Sequence, residues 1–326
     1  IKRKEELIVV DTLLEEGLKD GDLPHLCLDK TLLTNSGHNA FGPKDLQDVL
    51  TTVRRTKRKL NKLSVMFNGT AAQGVGAFLA KDRNVREVAI LCEKISPDSM
   101  QSLADALSTN DKVSKLLLGG RELKAGAAEA LGGVLKVTSA LQQLTLFNCG
   151  ISNAGGRHLA AGLTSNKTLQ YLDLAYCDIG DDGTTAIAHG THSHPALAYL
   201  NLKHNAVGAR GAAALADCLK ENFVLRELML GANCIGDDGA VALAAAIGDS
   251  TTMVYLDLGD NGITNGGGTA FAQRLAQNTS LRQLNLRTNN IGMETCDQIR
   301  VGWNKRNAKE STLRKSPWHD GLSLPF

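Results

Sequence analysis

One pattern, L-x-x-L-x-L-x-x-(N/C)-x-(I/L/V), opens at Val113, Leu141, Leu169, Leu197, Leu225, Met253 and Leu281, each 28 residues after the last. Val85 opens a matching unit 28 residues before Val113, and Leu60 opens one 25 residues before Val85. Leu23-x-x-Leu26-x-Leu28 is a divergent unit, 37 residues ahead of Leu60. A fixed period of this length means stacked supersecondary units, none of which can bury its apolar side alone. The register never slips between Val85 and Leu281, which predicts one uninterrupted solenoid of about ten units rather than two compact domains.

Within a unit the period changes from strand to helix. In residues 169–196, Leu172, Asp173 and Leu174 alternate inward and outward. Cys177 and Ile179 then turn the chain inward, and a helical run from Gly183 carries Ile187 and Ala188 on its apolar side. The expected fold class is α/β, a horseshoe with parallel strands on the concave face and bulkier helices on the convex face. At ~4.8 Å per strand the concave sheet would be roughly 45 Å long. The apolar share is 43% but only 4% is aromatic, which suits small, closely stacked coils.

The ninth place of each unit holds Asn68, Asn205, Asn233, Asn261 or Asn289, with Cys149 and Cys177 in the same place. A side-chain amide there can pair buried backbone groups of adjacent turns, so the expectation is a structural ladder. Glu93 and Arg121 interrupt it. Residues 1–22 are expected to cap the first coil, and residues 295–305, with Ile299, Val301 and Trp303, to close the last. This divides the chain into an N-terminal cap (1–22), a solenoid (23–308) and a C-terminal tail or strap (309–326). Trp318, Leu322, Leu324 and Phe326 favour a docked strap.

The 28-residue unit, as in LRELMLGANCIGDDGAVALAAAI (225–247), resembles the ribonuclease-inhibitor-like class of leucine-rich repeats. Related arrays occur in Ran GTPase-activating proteins, NOD-like receptors and ciliary or cytoskeletal assembly subunits. The resemblance covers residues 60–300 strongly and 23–59 weakly. It implies a fold and says little about function.

The residues themselves point away from catalysis. Asp181, Asp182, Asp237 and Asp238, in two GDDG sequences, are too few for a calcium loop and fall where carboxylates cap helix starts. His189, His192, His194 and His204 read as surface histidines rather than a zinc site. Gly266, Gly267 and Gly268 lack the Lys-Ser/Thr of a phosphate loop. No cofactor, metal or catalytic triad is implied. Seven scattered cysteines without a CxxC pair read as reduced thiols of a cytoplasmic protein, with a cytoskeletal or organellar assembly also open. Glycosylation at Asn68, Asn166 or Asn278 carries little weight. No apolar run approaches the ~20 residues of a membrane span. The chain opens at Ile1 without Met, which leaves a removed leader open.

Lys and Arg number 36 against 34 Asp and Glu, so bulk charge names no partner. Two basic runs are local: Arg54, Arg55, Lys57, Arg58, Lys59 and Lys62, and Lys305, Arg306, Lys309, Arg314 and Lys315. Each is a solvated face or a salt-sensitive contact for an acidic protein or RNA. The main partner site is expected on the concave face, where all four tyrosines fall at outward places. Tyr171, Tyr199 and Tyr255 share the third place, Asp173, Asn201, Asp257 and Asn285 the fifth, and His204 and Asp260 the eighth, with Tyr176 the fourth outward tyrosine. Tyrosine is enriched among residues that dominate binding energy. The leading function is thus a non-catalytic protein-binding scaffold, a subunit of a larger assembly. A Ran-type GTPase activator is the alternative, although that family's arrays usually end in a long acidic tail. A ribonuclease inhibitor ranks lower, because this chain is balanced in charge and modest in cysteine.

Overall fold

A computed structural model describes residues 25–29, 46, 49–51, 53–54, 59–66, 71–310 and 322–325. Among these, strands and helices alternate along the chain. The strands are β1 (His25–Asp29), β2 (Lys62–Met66), β3 (Glu87–Leu91), β4 (Lys115–Gly119), β5 (Gln143–Phe147), β6 (Tyr171–Asp173), β7 (Tyr199–Asn201), β8 (Glu227–Met229), β9 (Tyr255–Asp257), β10 (Gln283–Asn285) and β11 (Leu322–Ser323). The helices are α1 (Ala71–Leu79), α2 (Pro97–Thr109), α3 (Lys124–Val137), α4 (Ser152–Leu163), α5 (Asp181–Thr191), α6 (Ala209–Glu221), α7 (Gly236–Asp249), α8 (Asn265–Leu275) and α9 (Met293–Glu310).

All eleven strands form one parallel sheet in chain order. The pairing keeps the sequence period: Tyr171 faces Tyr199, Tyr199 faces Glu227, and Glu227 faces Tyr255. Each helix packs on the next, so the helices make a second layer. Helices need 8–10 Å between axes and strands ~4.8 Å, so the stack bends with the sheet inside. Between the layers the inward leucines are sealed: Leu172, Leu200, Leu228 and Leu256 are 0% exposed. Cys149 and Cys177 are buried free thiols, as the ladder place implied.

The ninth-place ladder is built as expected. Asn205 Nδ2 donates to the Leu174 carbonyl at 2.8 Å, and its Oδ1 accepts the Cys177 and Ile179 amides, both at 3.0 Å. Asn233, Asn261 and Asn289 make the same backward bond, to Leu202, Leu230 and Leu258, at 2.8–2.9 Å. Where the residue is cysteine, the thiol takes over the donor's part: Cys177 Sγ lies 3.0 Å from the Leu146 carbonyl. Asn68 lies outside the described residues.

A second ladder runs along the helix C-termini, three residues before each unit opens. Asn110, Asn166, Asn222 and Asn278 donate to the carbonyls of Leu79, Leu135, Thr191 and Ile247, at 2.7–2.9 Å. Their oxygens accept the amides that begin the next unit, such as Leu169 and Leu281. This use of the Asn166 and Asn278 side chains buries two of the three glycosylation triplets. In alternate coils the place is held by Thr138, His194 and Ser250, which only accept. His194 is therefore not a surface histidine. It is 3% exposed, and its Nδ1 accepts the Ala196 and Leu197 amides at 3.2 and 3.1 Å.

Helix starts are capped across coils. Asp181 Oδ1 accepts the Gly208 and Gly211 amides at 2.7 and 2.8 Å, at the start of α6 rather than of its own helix α5. Asp237 does the same for Thr264 and Gly267 of α8, and Asn153 for Gly180 and Gly183 of α5. Capping is the role expected of Asp181 and Asp237, but the amides belong to the following coil. Asp182 instead pairs with Arg210.

At the C-terminal end α9 buries Ile299 and Trp303, while Val301 is 52% exposed. Val301 stands two positions from each, about 200° around the axis, so it cannot share their face. Beyond it, β11 pairs with β10, Leu284 opposite Leu322, and Leu324 enters the core. Residues 1–22, Trp318 and Phe326 lie outside the described residues.

Candidate functional site

The sheet face is set by what ends each strand. In β6, β7, β9 and β10 the fifth-place side chain turns back and accepts the amide two residues on. The pairs are Asp173 with Ala175 (3.0 Å), Asn201 with Lys203 (2.9 Å), Asp257 with Gly259 (3.1 Å) and Asn285 with Arg287 (3.0 Å). Such turns compete with ladder pairing, and these strands run three residues. β2 to β5 carry Ser64, Ala89, Leu117 and Thr145 at that place and run five. β8 is equally short with Met229 there, and no turn bond of its own explains it.

The eighth place is left-handed in coil after coil: Asn148, Tyr176, His204, Ala232, Asp260 and Thr288 have φ between 52° and 59°. A bulky residue there costs on the order of 1–2 kcal/mol, and Tyr176 and His204 bear it while presenting their rings on the sheet side. Their rings stack, centroids 4.1 Å apart and 10° from parallel. Phe147, at the end of β5, meets Tyr176 edge-on at 5.3 Å. Phe147 and Tyr176 are 46% and 42% exposed.

A second row lies on the third place. Tyr171 and Tyr199 stack at 4.0 Å, 7° from parallel. The Tyr171 hydroxyl donates to Asp173 Oδ2 at 3.4 Å. Burial pushes the hydroxyls of Tyr171, Tyr199 and Tyr255 above the ordinary tyrosine value, and the negative field of Glu227 adds to it in all three. Glu227 stands between Tyr199 and Tyr255 in the column, so the tyrosine row is interrupted at β8.

Charge on this face is bridged over long intervals. Lys203 Nζ reaches Asp257 Oδ2 at 2.8 Å, passing over the intervening coil. Gly231 makes room for it: a Cβ there would lie 3.0 Å from Lys203 Cε. The hydrogen bond to Asp257 holds the ammonium above its ordinary pKa.

The nine expected site residues thus divide. Tyr171, Tyr199, Tyr255 and Asp173 are half-buried on the face, and Tyr176, His204 and Asp260 are exposed. Asn201 and Asp257 are not outward and free: they are 8% and 1% exposed, spent on turn bonds and, for Asp257, on Lys203 and Asn285. Phe147, Lys203 and Glu227 belong to the same face and had been passed over. Phe147 follows Leu146 at an outward parity, which was the available signal.

Elsewhere the described parts of the basic runs are solvated. Arg54, Lys59 and Lys305 are exposed, and Lys62 lies 3.8 Å from Glu87. Arg55, Lys57, Arg58, Arg314 and Lys315, and the side chains of Arg306 and Lys309, lie outside the described residues. Among the described residues no three His, Cys, Asp or Glu side chains converge as a metal site, and no helix is long and apolar enough to cross a membrane.

The Leucine Rich repeat family matches residues 165–188, 195–216, 221–244, 249–272 and 277–294, the stretch that carries β6 to β10. Three solved structures are similar in fold. Leiomodin-1 actin-binding site 2 is 16% identical, covering 49% of this chain and 91% of that one, with a TM-score of 0.41. The tropomodulin C-terminal domain of Caenorhabditis elegans is 11% identical over 57% and 96%, with a TM-score of 0.38. The internalin inlF of Listeria monocytogenes is 17% identical over 80% and 68%, with a TM-score of 0.48. No curated protein matches the sequence.

Proposed function

We propose that this chain, a leucine-rich-repeat solenoid, is a non-catalytic scaffold that binds a protein partner on the sheet face between β5 and β10. The observation that carries this reading is the pair of aromatic rows, Tyr171–Tyr199 and Phe147–Tyr176–His204, on a floor fixed by two ladders. Rigid aromatic rings give contact area with little rotamer entropy left to lose, which is why they dominate binding hot spots. The tyrosine side chains are held by stacking and the strands by turn bonds, so the face is preformed. Within this reading the ribonuclease-inhibitor-like subtype, the 1–22 cap, the 23–308 solenoid and the 309–326 strap are retained. A place in a larger cytoplasmic assembly is part of the same proposal.

The test is capture from native extract on the immobilised protein, mass spectrometry of what is retained, and binding isotherms with the purified partner. Tyr176→Ala should weaken binding by ~2 kcal/mol, roughly thirtyfold, with little change in melting temperature. A partner bound equally by Tyr176→Ala and Tyr199→Ala moves the site off this face. Stimulation of a Ran-type GTPase by the wild-type protein would favour the activator alternative instead.

A further inference from the structure

We infer that the notch over Glu227, between the rings of Tyr199 and Tyr255, is a socket for an arginine side chain of the partner. The inference rests on the sheet face being the partner site, and it names the chemistry of the group that face receives.

Register fixes the shape of the notch. Glu227 pairs with Tyr199 on one side and Tyr255 on the other, all at the third place. Two strand spacings separate the tyrosines, about 9.6 Å at ~4.8 Å each. Tyr199 is drawn toward Tyr171, their centroids lying 4.0 Å apart, closer than the strands themselves. That stack holds the Tyr199 ring in place as one wall of the notch. A flat group in contact with both rings needs about 3.5–4.0 Å on each side, or roughly 7–8 Å. A planar group fits, and the two rings close onto its faces once each leans in by about 1 Å.

Charge selects which planar group. The Glu227 side chain makes no ion pair or hydrogen bond among the described residues, although it is half-buried. Its field bears on Tyr171, Tyr199 and Tyr255 together. Lys203, a cation of the same face, is held at 2.8 Å by Asp257 and is neutralised there. A guanidinium satisfies every feature at once: it is flat, stacks on aromatic faces, and offers a carboxylate two parallel N–H donors. A lysine ammonium is a compact, strongly hydrated point charge that pairs with the carboxylate and can approach one ring, but it has no plane to stack between two.

The probe is a fluorescein-labelled octapeptide alternating arginine and glycine, compared with its lysine–glycine counterpart by fluorescence anisotropy at ~0.15 M ionic strength. The wild-type protein should bind the arginine peptide at least about tenfold more tightly than the lysine peptide. Glu227→Gln, which keeps the shape and removes the charge, and Tyr255→Ala should each weaken the arginine peptide about tenfold or more. Asp238→Asn, exposed in the first turn of α7 and away from the sheet, should not. Absence of arginine-peptide binding, equal binding of the lysine peptide, or an unchanged Glu227→Gln would each overturn the socket. With the captured natural partner the two readings separate. Loss of binding in Tyr176→Ala but not in Glu227→Gln leaves the sheet face standing and removes the socket. Loss in neither removes the sheet-face reading itself.

Discussion

The Asn222 side chain joins two coils: its Nδ2 donates to the Thr191 carbonyl at 2.7 Å, while its Oδ1 accepts the Val224 and Leu225 amides at 2.9 and 2.8 Å. Replacing it by alanine would orphan the two amides where the residue is 4% exposed, and leave the Thr191 carbonyl with the His194 amide alone. Each buried polar group left unmade costs ~1–3 kcal/mol. Asn222→Ala should therefore lose about 3 kcal/mol or more in urea unfolding, far above the ±0.5 kcal/mol of an ordinary loop substitution. A loss under 1 kcal/mol would make this second ladder ornamental.

His194 fills the same place one coil earlier but cannot donate backward as asparagine does. Burial lowers its pKa from the usual value. Below about pH 6.5, where an unfolded histidine gains a proton, the unfolded chain binds more protons than the folded one. Stability should fall as pH drops through that window toward the lowered folded value, and be fully present above it. His194→Asn should remove this dependence and restore the rung to the Leu163 carbonyl. Melting temperatures at pH 5.5 and 7.5 should differ less in the variant than in the wild type; an equal difference would place the acid sensitivity elsewhere.

Gly120 and Gly133 should respond to alanine with opposite signs. Gly120 has φ of 156°, and a Cβ there would run into the Cys92 carbonyl oxygen. Gly133 lies on the exposed side of α3 with nothing within 4 Å of an added Cβ. Gly120→Ala should destabilise severely, whereas Gly133→Ala should stabilise by ~0.5–1 kcal/mol through helix propensity. Paired thermal melts decide both at once.

Leu200 is 0% exposed in the middle of the stack. Leu200→Ala should cost ~2–5 kcal/mol, with the spread set by how far neighbouring coils close the cavity. A melting curve matching the wild type would contradict the assignment of inward places.

Much of this was readable from the sequence because it is periodic. The inward leucines, the strand register and the ninth-place ladder all follow from one offset, and Tyr171 and Tyr199 stack because that offset is constant. What escaped was chemistry between coils. Asn166 and Asn278 look like glycosylation triplets along the chain, and only the stack shows their amides turned to a carbonyl one coil back. Asp257 has an outward parity, yet Lys203 covers it from two coils away, a pairing that no local window contains. Asp181 was legible as a cap but not as a cap for the following helix, since the choice depends on how far the coils are offset.

A stack joined only to its neighbours yields like a leaf spring, each junction giving a little of the total deflection. Lys203 does not respect that rule: by clasping Asp257 across the coil that carries Gly231, it triangulates three consecutive coils. Flexing the arc at β8 would have to pull apart a 2.8 Å ion pair whose carboxylate is already shut away from water. The compliance of the arc is thereby shifted to either side of the coils of β7 to β9, which act as a stiff bridge deck between two springs.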